Sequence, residues 1–135
     1  NIISQSTLIS FLNKQLAAHP AGTGKSIEEL DLGTTPVKHI EADQPAIAAF
    51  RMMDSQRITG LAITEHGRLV GNISARDLKI FIKHVDFDAL LTPVGEFVKE
   101  LRQREIDIKS PTITVFGNAL FEIVVGKLAA TKVHR

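Results

Sequence analysis

The chain has 135 residues, enough for a compact domain with its own core, and a formal net charge of +1 from 16 basic and 15 acidic side chains. This balance provides no broad basic surface for nucleic acid or an anionic membrane. The lack of cysteine excludes disulfides, thiolate metal sites and cysteine nucleophiles. No apolar run is long enough to span a bilayer, and the first ten residues do not resemble a signal peptide. We therefore expect a cytoplasmic and/or nuclear protein with neither nucleic acid nor a membrane as partner.

The first third of the chain predicts a helix followed by a linker. Residues 2–3 are typical of the end of a strand. Apolar residues then recur at helical spacing and predict an amphipathic helix over 7–17. Pro20 and the nearby glycines end this pattern. A single helical turn is expected over 27–30.

A regular unit of strands and helices follows. Its two central strands are joined by a glycine turn, so they predict a β-hairpin. The predicted elements are a strand over 37–40, a helix over 45–56, strands over 58–63 and 68–73 joined by a turn over 65–67, and a helix over 74–83. On the first helix we expect Ile47, Phe50 and Met53 to share one apolar face.

A second copy of this unit is indicated further along the chain. The run over 92–97 repeats the pattern of the run over 35–40, and it begins 57 residues later. After a polar insert, a strand is predicted over 110–116, a helix over 119–130, and the start of another strand at 133. Repeats of this size are typical of stacked units that each need a neighbour to bury an apolar face.

The runs ITGLAI (58–63) and GRLVGNISARDL (67–78) resemble the core of a CBS repeat. The shared pattern is an apolar strand, a glycine turn, a second strand and then Ser/Thr-x-x-Asp opening a helix. The resemblance implies an α/β fold of CBS type, with small mixed sheets, flanking helices and two repeats paired about a pseudo-twofold axis. The implied segments are the tail of a preceding repeat (1–17), a linker (18–34), a complete repeat (35–83) and the first part of a following repeat (84–135), in a fragment of a larger chain.

The connector KSIEELDLGT (25–34) and the final Val133-His134-Arg135 are similar to the gamma regulatory subunits of AMP-activated protein kinase. On this resemblance the chain holds the tail of the second repeat, the third repeat and the first half of the fourth. It implies an energy-sensing regulatory module that binds AMP, ADP or ATP, uses no catalytic cofactor, and has kinase catalytic and scaffold subunits or a second CBS pair as partners. Thr7 departs from the pattern, because many repeats have a ribose-binding aspartate there.

The Ser74-x-x-Asp77 segment is the first candidate for ligand chemistry. A carboxylate can accept hydrogen bonds from both ribose hydroxyls, and a helix start can meet a phosphate. The same spacing is typical of a helix N-cap, and both roles can hold at once. His134 and Arg135 could donate to phosphate, with a solvated chain end as the alternative. The nucleotide-binding residues implied by the resemblance are Thr34, Ile58, Thr59, Gly60, Ser74, Ala75, Arg76, Asp77, His134 and Arg135.

Other residues and motifs of the chain allow other interpretations. Ile58 would also suit core packing, and Arg57 and Arg102 are further basic candidates with solvated side chains as the alternative. The run GTGKS (22–26) resembles the end of a P-loop, but His19 stands where that motif needs its first glycine. The histidines lack metal-ligand spacing and no catalytic set emerges, so we expect no enzyme activity. The main alternative function is a generic CBS regulatory or dimerisation module of a metabolic enzyme, transporter or channel, with or without a ligand.

Overall fold

The computed structural model describes residues 4–19, 23–83, 86–104 and 113–131. It divides into two compact units, Pro36–Ile113 and a second unit formed by Asn1–Thr35 with Thr114–Arg135. In the described residues the elements are α1 (Gln5–Ala18), β1 (His39–Glu41), α2 (Ala46–Ser55), β2 (Gly60–Glu65), β3 (Arg68–Ser74), α3 (Ala75–Lys83), a 3-10 helix (Phe87–Leu91), α4 (Val94–Arg104) and α5 (Phe121–Thr131). The predicted α/β class is confirmed, with a small mixed sheet and flanking helices.

The sheet of the larger unit has the order β1-β2-β3. β1 runs parallel to β2, with Ile40 opposite Ile63, and β3 runs antiparallel to β2. The β2–β3 loop consists of His66 and Gly67, whose φ angles are 51° and 76°. Positive φ at both loop residues is the geometry of a two-residue turn that matches the natural strand twist. The predicted hairpin is therefore confirmed.

The core of the larger unit is an apolar cluster drawn from the three strands and from helices α2, α3 and α4. Its members are Ile40, Ala46, Ala49, Met53, Leu61, Ile63, Ile73, Phe81, Val94, Phe97, Val98 and Leu101. The predicted apolar face of α2 is partly wrong, because α2 buries two alanines and Met53 while Ile47 and Phe50 are only half-buried. Phe50 still contributes an edge-to-face contact with Phe97, at 6.0 Å between ring centroids.

The run over 92–97 differs in backbone conformation from the run over 35–40 that it resembles in sequence. Residues 92–93 precede α4 and residues 94–97 are its first turn. The apolar residues of α4 at 94, 97, 98 and 101 have helical spacing. The backbone N–H of Val94 donates to the Gln44 carbonyl (2.7 Å), and that of Gly95 donates to the Ala42 carbonyl (3.1 Å). These bonds tie the start of α4 to the loop between β1 and α2. The segments 92–97 and 35–40 are therefore similar in sequence but differ in backbone conformation.

The end of α2 sets the position at which β2 begins. Arg57 has a φ of 52°, the left-handed conformation that ends many helices. Its N–H donates to the Asp54 carbonyl (3.1 Å), while the N–H of Ile58 donates to the Met53 carbonyl (2.9 Å). This is the Schellman pattern. It turns the chain so that Ile58 packs against the core immediately before β2.

The smaller unit pairs α1 with α5 and contains the predicted turn over 27–30. A reciprocal capping box opens that turn: the Ser26 N–H donates to Glu29 Oε2 (2.7 Å), and the Glu29 N–H donates to Ser26 Oγ (3.2 Å). The predicted helices over 7–17 and 119–130 are confirmed as α1 and α5. The strand predicted over 110–116 is not present at residues 113–116, and residues 2–3 and 133–135 lie outside the described part of the chain.

Candidate functional site

Seven of the ten predicted site residues meet at one end of the β2–β3 hairpin. Gly60, the first residue of β2, lies opposite Ser74, the last residue of β3. The N–H of Ala75 donates to the Thr59 carbonyl at 3.0 Å, which joins the start of α3 to the residue before β2. Because the hairpin closes at its other end, its open end holds both the segment 58–60 and the segment 74–77. We call this group, residues 58–60 and 74–77, the hairpin-end cluster.

Asp77 and Ser74 form a cap at the start of α3. One carboxylate oxygen of Asp77, Oδ2, accepts a hydrogen bond from the Ser74 backbone N–H (2.6 Å) and another from the Ser74 hydroxyl (2.9 Å). Both side chains are half-buried. The second oxygen, Oδ1, accepts no hydrogen bond from the described residues. The cap is therefore present, and it leaves one carboxylate oxygen for an external donor.

The surroundings of this cap combine one apolar and several polar groups. Ala75, Arg76 and Thr59 are exposed, and Gly60 and Ile58 are half-buried. Ile58 packs against the core, so the packing role considered for it is present, yet part of its surface stays accessible. Arg76 places a permanent cation in the first turn of α3, where backbone N–H groups also favour anions. The cluster can thus offer a carboxylate to hydroxyls, a cation to an anion and an aliphatic surface to a flat ring.

Three predicted residues are not part of this cluster. Thr34 is exposed and belongs to the smaller unit. His134 and Arg135 lie outside the described residues, so their predicted role with phosphate stays a prediction. Arg102, a further basic candidate, donates through Nη2 to the Asn72 carbonyl (2.8 Å) and to Asn72 Oδ1 (2.7 Å). It therefore ties α4 to β3.

A carboxylate of the chain itself accepts hydrogen bonds from the backbone of the P-loop-like run. Glu122, in the first turn of α5, accepts hydrogen bonds from the backbone N–H groups of Thr23 and Gly24 through Oε1. Hydrogen bonds from its own backbone N–H and from that of Thr23 lower the pKa of Glu122, against an opposing effect of burial. The backbone N–H groups that would bind phosphate in a P-loop therefore donate to a carboxylate instead. The sequence pattern did not predict this pairing, since its partners lie almost a hundred residues apart.

Neither a metal centre nor a membrane span is found in the described part of the chain. Among those residues, no group of three or more His, Asp or Glu side chains could hold a metal ion. Every helix in the same ranges is too short or too polar to cross a membrane.

The family model described as CBS domain matches residues 27–84. This segment, which is less than half of the chain, is similar to a CBS domain. The matched range includes every residue of the hairpin-end cluster and also Thr34, whereas His134 and Arg135 fall outside it. The repeat boundaries predicted around this domain stay predictions.

Several curated relatives that match nearly the whole chain are named Sds23. The protein sds23/moc1 of Schizosaccharomyces pombe is 29% identical over 140 residues, which is 98% of this chain and 34% of the relative. The protein SDS23 of Meyerozyma guilliermondii is 30% identical over 142 residues, 99% of this chain and 26% of the relative. The chain thus spans about a third or less of the length of these relatives. They point to a different CBS protein from the kinase gamma subunits, so the finer resemblance to those subunits is not supported.

A solved structure shares the CBS fold. The structure of CBSX2 in complex with AMP matches with a TM-score of 0.59 at 18% identity, covering 83% of this chain and 79% of that one. At this level of identity the match shows the fold alone. The AMP belongs to CBSX2, and it bears on this chain only through the proposal that follows.

Proposed function

We propose that this chain is part of a regulatory CBS module that binds an adenine nucleotide at the hairpin-end cluster and has no catalytic activity of its own. The observation that carries the proposal is the gathering of residues 58–60 and 74–77 at the open end of the hairpin, with Asp77 Oδ1 not used by the cap. The AMP bound by the CBS protein CBSX2 supports the choice of ligand class.

The contacts follow from the chemistry of each group. Asp77 Oδ1 accepts hydrogen bonds from the ribose hydroxyls, and charge strengthens those bonds relative to neutral ones. The half-buried side chain of Ile58 provides an apolar surface for the adenine ring. Arg76 and the first backbone N–H groups of α3 attract the phosphate. The cap holds the carboxylate in place beforehand, so less side-chain freedom is lost on binding.

The regulatory effect comes from differential affinity. A nucleotide that binds one conformation of the whole protein more tightly than another shifts the balance between them, and no bond is made or broken. We infer a general regulatory or dimerisation module and not a kinase gamma subunit, because the relatives that cover nearly the whole chain are Sds23 proteins. AMP, ADP and ATP all present the ribose and adenine that the cluster would contact.

A second candidate function is a structural CBS module without ligand. It is favoured by the Ser74–Asp77 cap, because two hydrogen bonds already give Asp77 a complete structural role. In that case Asp77 stabilises α3 and nothing binds beside it.

Isothermal titration of AMP, ADP and ATP into the full-length parent protein separates the two functions. We expect saturable binding of at least one nucleotide, weakened tenfold or more in Asp77→Ala. Asp86→Ala is the matched control, because Asp86 also caps a helical segment of the larger unit, through the Asp88 N–H (3.2 Å), outside the cluster. Its affinity should equal that of the unsubstituted protein. No binding by the unsubstituted parent would contradict the proposal and favour the structural module.

A further inference from the structure

The tripeptide Thr-Pro-Val occurs twice in this chain, at residues 35–37 and 92–94. A threonine followed directly by proline is the acceptor sequence of proline-directed protein kinases, which bind their substrates as extended segments. The residue before a proline is itself biased towards extended conformations. Since the two copies have the same local sequence, their surroundings decide which of them a kinase can reach.

The first copy is accessible along its whole length. Thr35, Pro36 and Val37 are exposed, and 59% of the Val37 surface is accessible to solvent. Within the described part of the chain, the Thr35 hydroxyl makes no hydrogen bond and the backbone N–H groups of residues 33–37 have no acceptor. Gly33, two residues before the acceptor, has a φ of 120° that side chains disfavour, and its missing Cβ would face open space. At the end of the segment the Val37 carbonyl accepts a hydrogen bond from His39 Nδ1 (3.1 Å), and the Lys38 carbonyl accepts one from the Ala62 N–H (3.2 Å). Residues 33–36 can therefore enter a kinase cleft without breaking a backbone hydrogen bond, and only the first bonds of β1 need to open.

The second copy is fixed in the fold. The Thr92 hydroxyl donates to the Ala89 carbonyl at 2.7 Å, and the Thr92 carbonyl accepts from the Ala46 N–H at 3.0 Å. Val94, two residues after this threonine, is completely buried. A kinase could reach Thr92 only after the start of α4 had separated from the core, and such local opening is costly in a packed element.

We propose that Thr35 is a phosphorylation site for a proline-directed protein kinase that prefers a basic residue three positions after the acceptor. Lys38 is exposed at that position, whereas the second copy has Gly95 there. In the reaction, the Thr35 hydroxyl oxygen bonds to the γ-phosphorus of ATP and the bond to the β-phosphate oxygen breaks. ADP leaves, and the hydroxyl proton passes to a carboxylate of the kinase.

The modification would place a charge of about −2 on Thr35, the last residue of the first segment of the smaller unit, directly before Pro36, where the larger unit begins. None of the residues of the hairpin-end cluster takes part in this modification. Thr35 can be phosphorylated whether or not the chain binds a nucleotide.

The test is phosphorylation of the full-length parent protein by a cyclin-dependent kinase, with the rate at each site measured by quantitative mass spectrometry. We expect Thr35 to be modified at least fivefold faster than Thr92. We also expect Lys38→Ala to slow modification of Thr35 threefold or more, and Thr35→Ala to abolish the signal from that peptide.

A third acceptor sequence, Ser110-Pro111, lies outside the described residues and has Ile113 at the third position after the serine, so it serves as an internal comparison without the basic residue. Equal or faster modification of Thr92 or Ser110 than of Thr35 would overturn the proposal. So would an unmodified Thr35 in protein that the kinase labels elsewhere. Because all sites are compared within one unsubstituted protein, the outcome does not depend on the folding of variants.

Discussion

The cap at the start of α3 predicts how much Asp77 contributes to the stability of the larger unit. Replacing Asp77 by alanine removes the acceptor of two hydrogen bonds, 2.6 and 2.9 Å long. Loss of a helix cap costs about 0.5–2 kcal/mol. Loss of a carboxylate from the first turn removes a favourable interaction with the helix dipole worth about 0.3–1 kcal/mol. Since Asp77 is only half-buried, we expect a total loss of about 1.5 kcal/mol in the free energy of unfolding.

Urea denaturation followed by far-ultraviolet circular dichroism measures this loss. Asp77→Asn keeps one side-chain oxygen as acceptor and should lose about half as much as Asp77→Ala. Asp86→Ala removes a longer cap hydrogen bond from an exposed side chain, so it should cost less than Asp77→Ala. If the free energy of unfolding of Asp77→Ala is within about 0.3 kcal/mol of that of the unsubstituted chain, the reasoning from the cap is refuted. The loss would then be smaller than the usual cost of removing a helix cap.

Three further predictions concern the core, a helix end and the acid stability of the smaller unit. Ile63 is 1% exposed in the middle strand, so Ile63→Ala should lower the free energy of unfolding by about 3 kcal/mol in urea denaturation. Arg57→Gly should raise it by about 1 kcal/mol, because glycine adopts a φ of 52° without the cost borne by other residues. Hydrogen bonds lower the pKa of Glu29 and Glu122 below the ordinary value of 4.5. The two ionised carboxylates should therefore stabilise the folded chain fully above pH 4.5. In an acid titration this contribution should be lost as the pH falls through the lower pKa of the folded state.

Each of these predictions has a control. Val70 is 49% exposed, so Val70→Ala should lower the free energy of unfolding by less than about 0.5 kcal/mol. If Ile63→Ala lowered it by no more than Val70→Ala does, the assignment of Ile63 to the core would be contradicted. A loss of stability in Arg57→Gly would contradict the account of the end of α2. The double substitution Glu29→Gln and Glu122→Gln should reduce the acid sensitivity, and an unchanged titration would exclude these carboxylates as its source.

The hairpin could be predicted from the sequence because its signals are local. Leu61 and Ile63 alternate with less apolar residues, as expected for a strand with one buried face, and the His66-Gly67 pair suits a two-residue turn. α2 was predicted with nearly correct bounds for a similar reason. Its buried face was partly mistaken, because size alone favoured Ile47 over Ala46 and Ala49.

The helix α4 was missed although its signal was present. Val94, Phe97, Val98 and Leu101 have the spacing of a buried helical face, but the likeness of 92–97 to 35–40 favoured a second copy of the repeat. What separates the two segments is their partners. Strand β1, which follows 35–38, is held by the parallel strand β2, whereas 92–95 bonds to the loop before α2. The local sequence of a segment does not determine such long-range pairings.

The candidate site, like the fold, was predicted from the sequence only in part. The spacing of Ser74 and Asp77 was enough to predict that they interact, since three residues at a helix start bring a side chain back to the cap. The use of a single carboxylate oxygen by both hydrogen bonds depends on side-chain geometry that spacing does not determine. The pairing of Glu122 with Thr23 and Gly24 is set by tertiary contacts, which explains why the glycine-rich run was recognised as a linker without its acceptor being found.

The most direct test of the central claim is a crystal structure of the full-length parent protein grown with saturating AMP. We predict that a ribose hydroxyl lies about 2.7 Å from Asp77 Oδ1 while Oδ2 keeps its two bonds to Ser74. AMP bound elsewhere with the Asp77 carboxylate untouched, or no AMP in the crystal, would contradict nucleotide binding at the hairpin-end cluster.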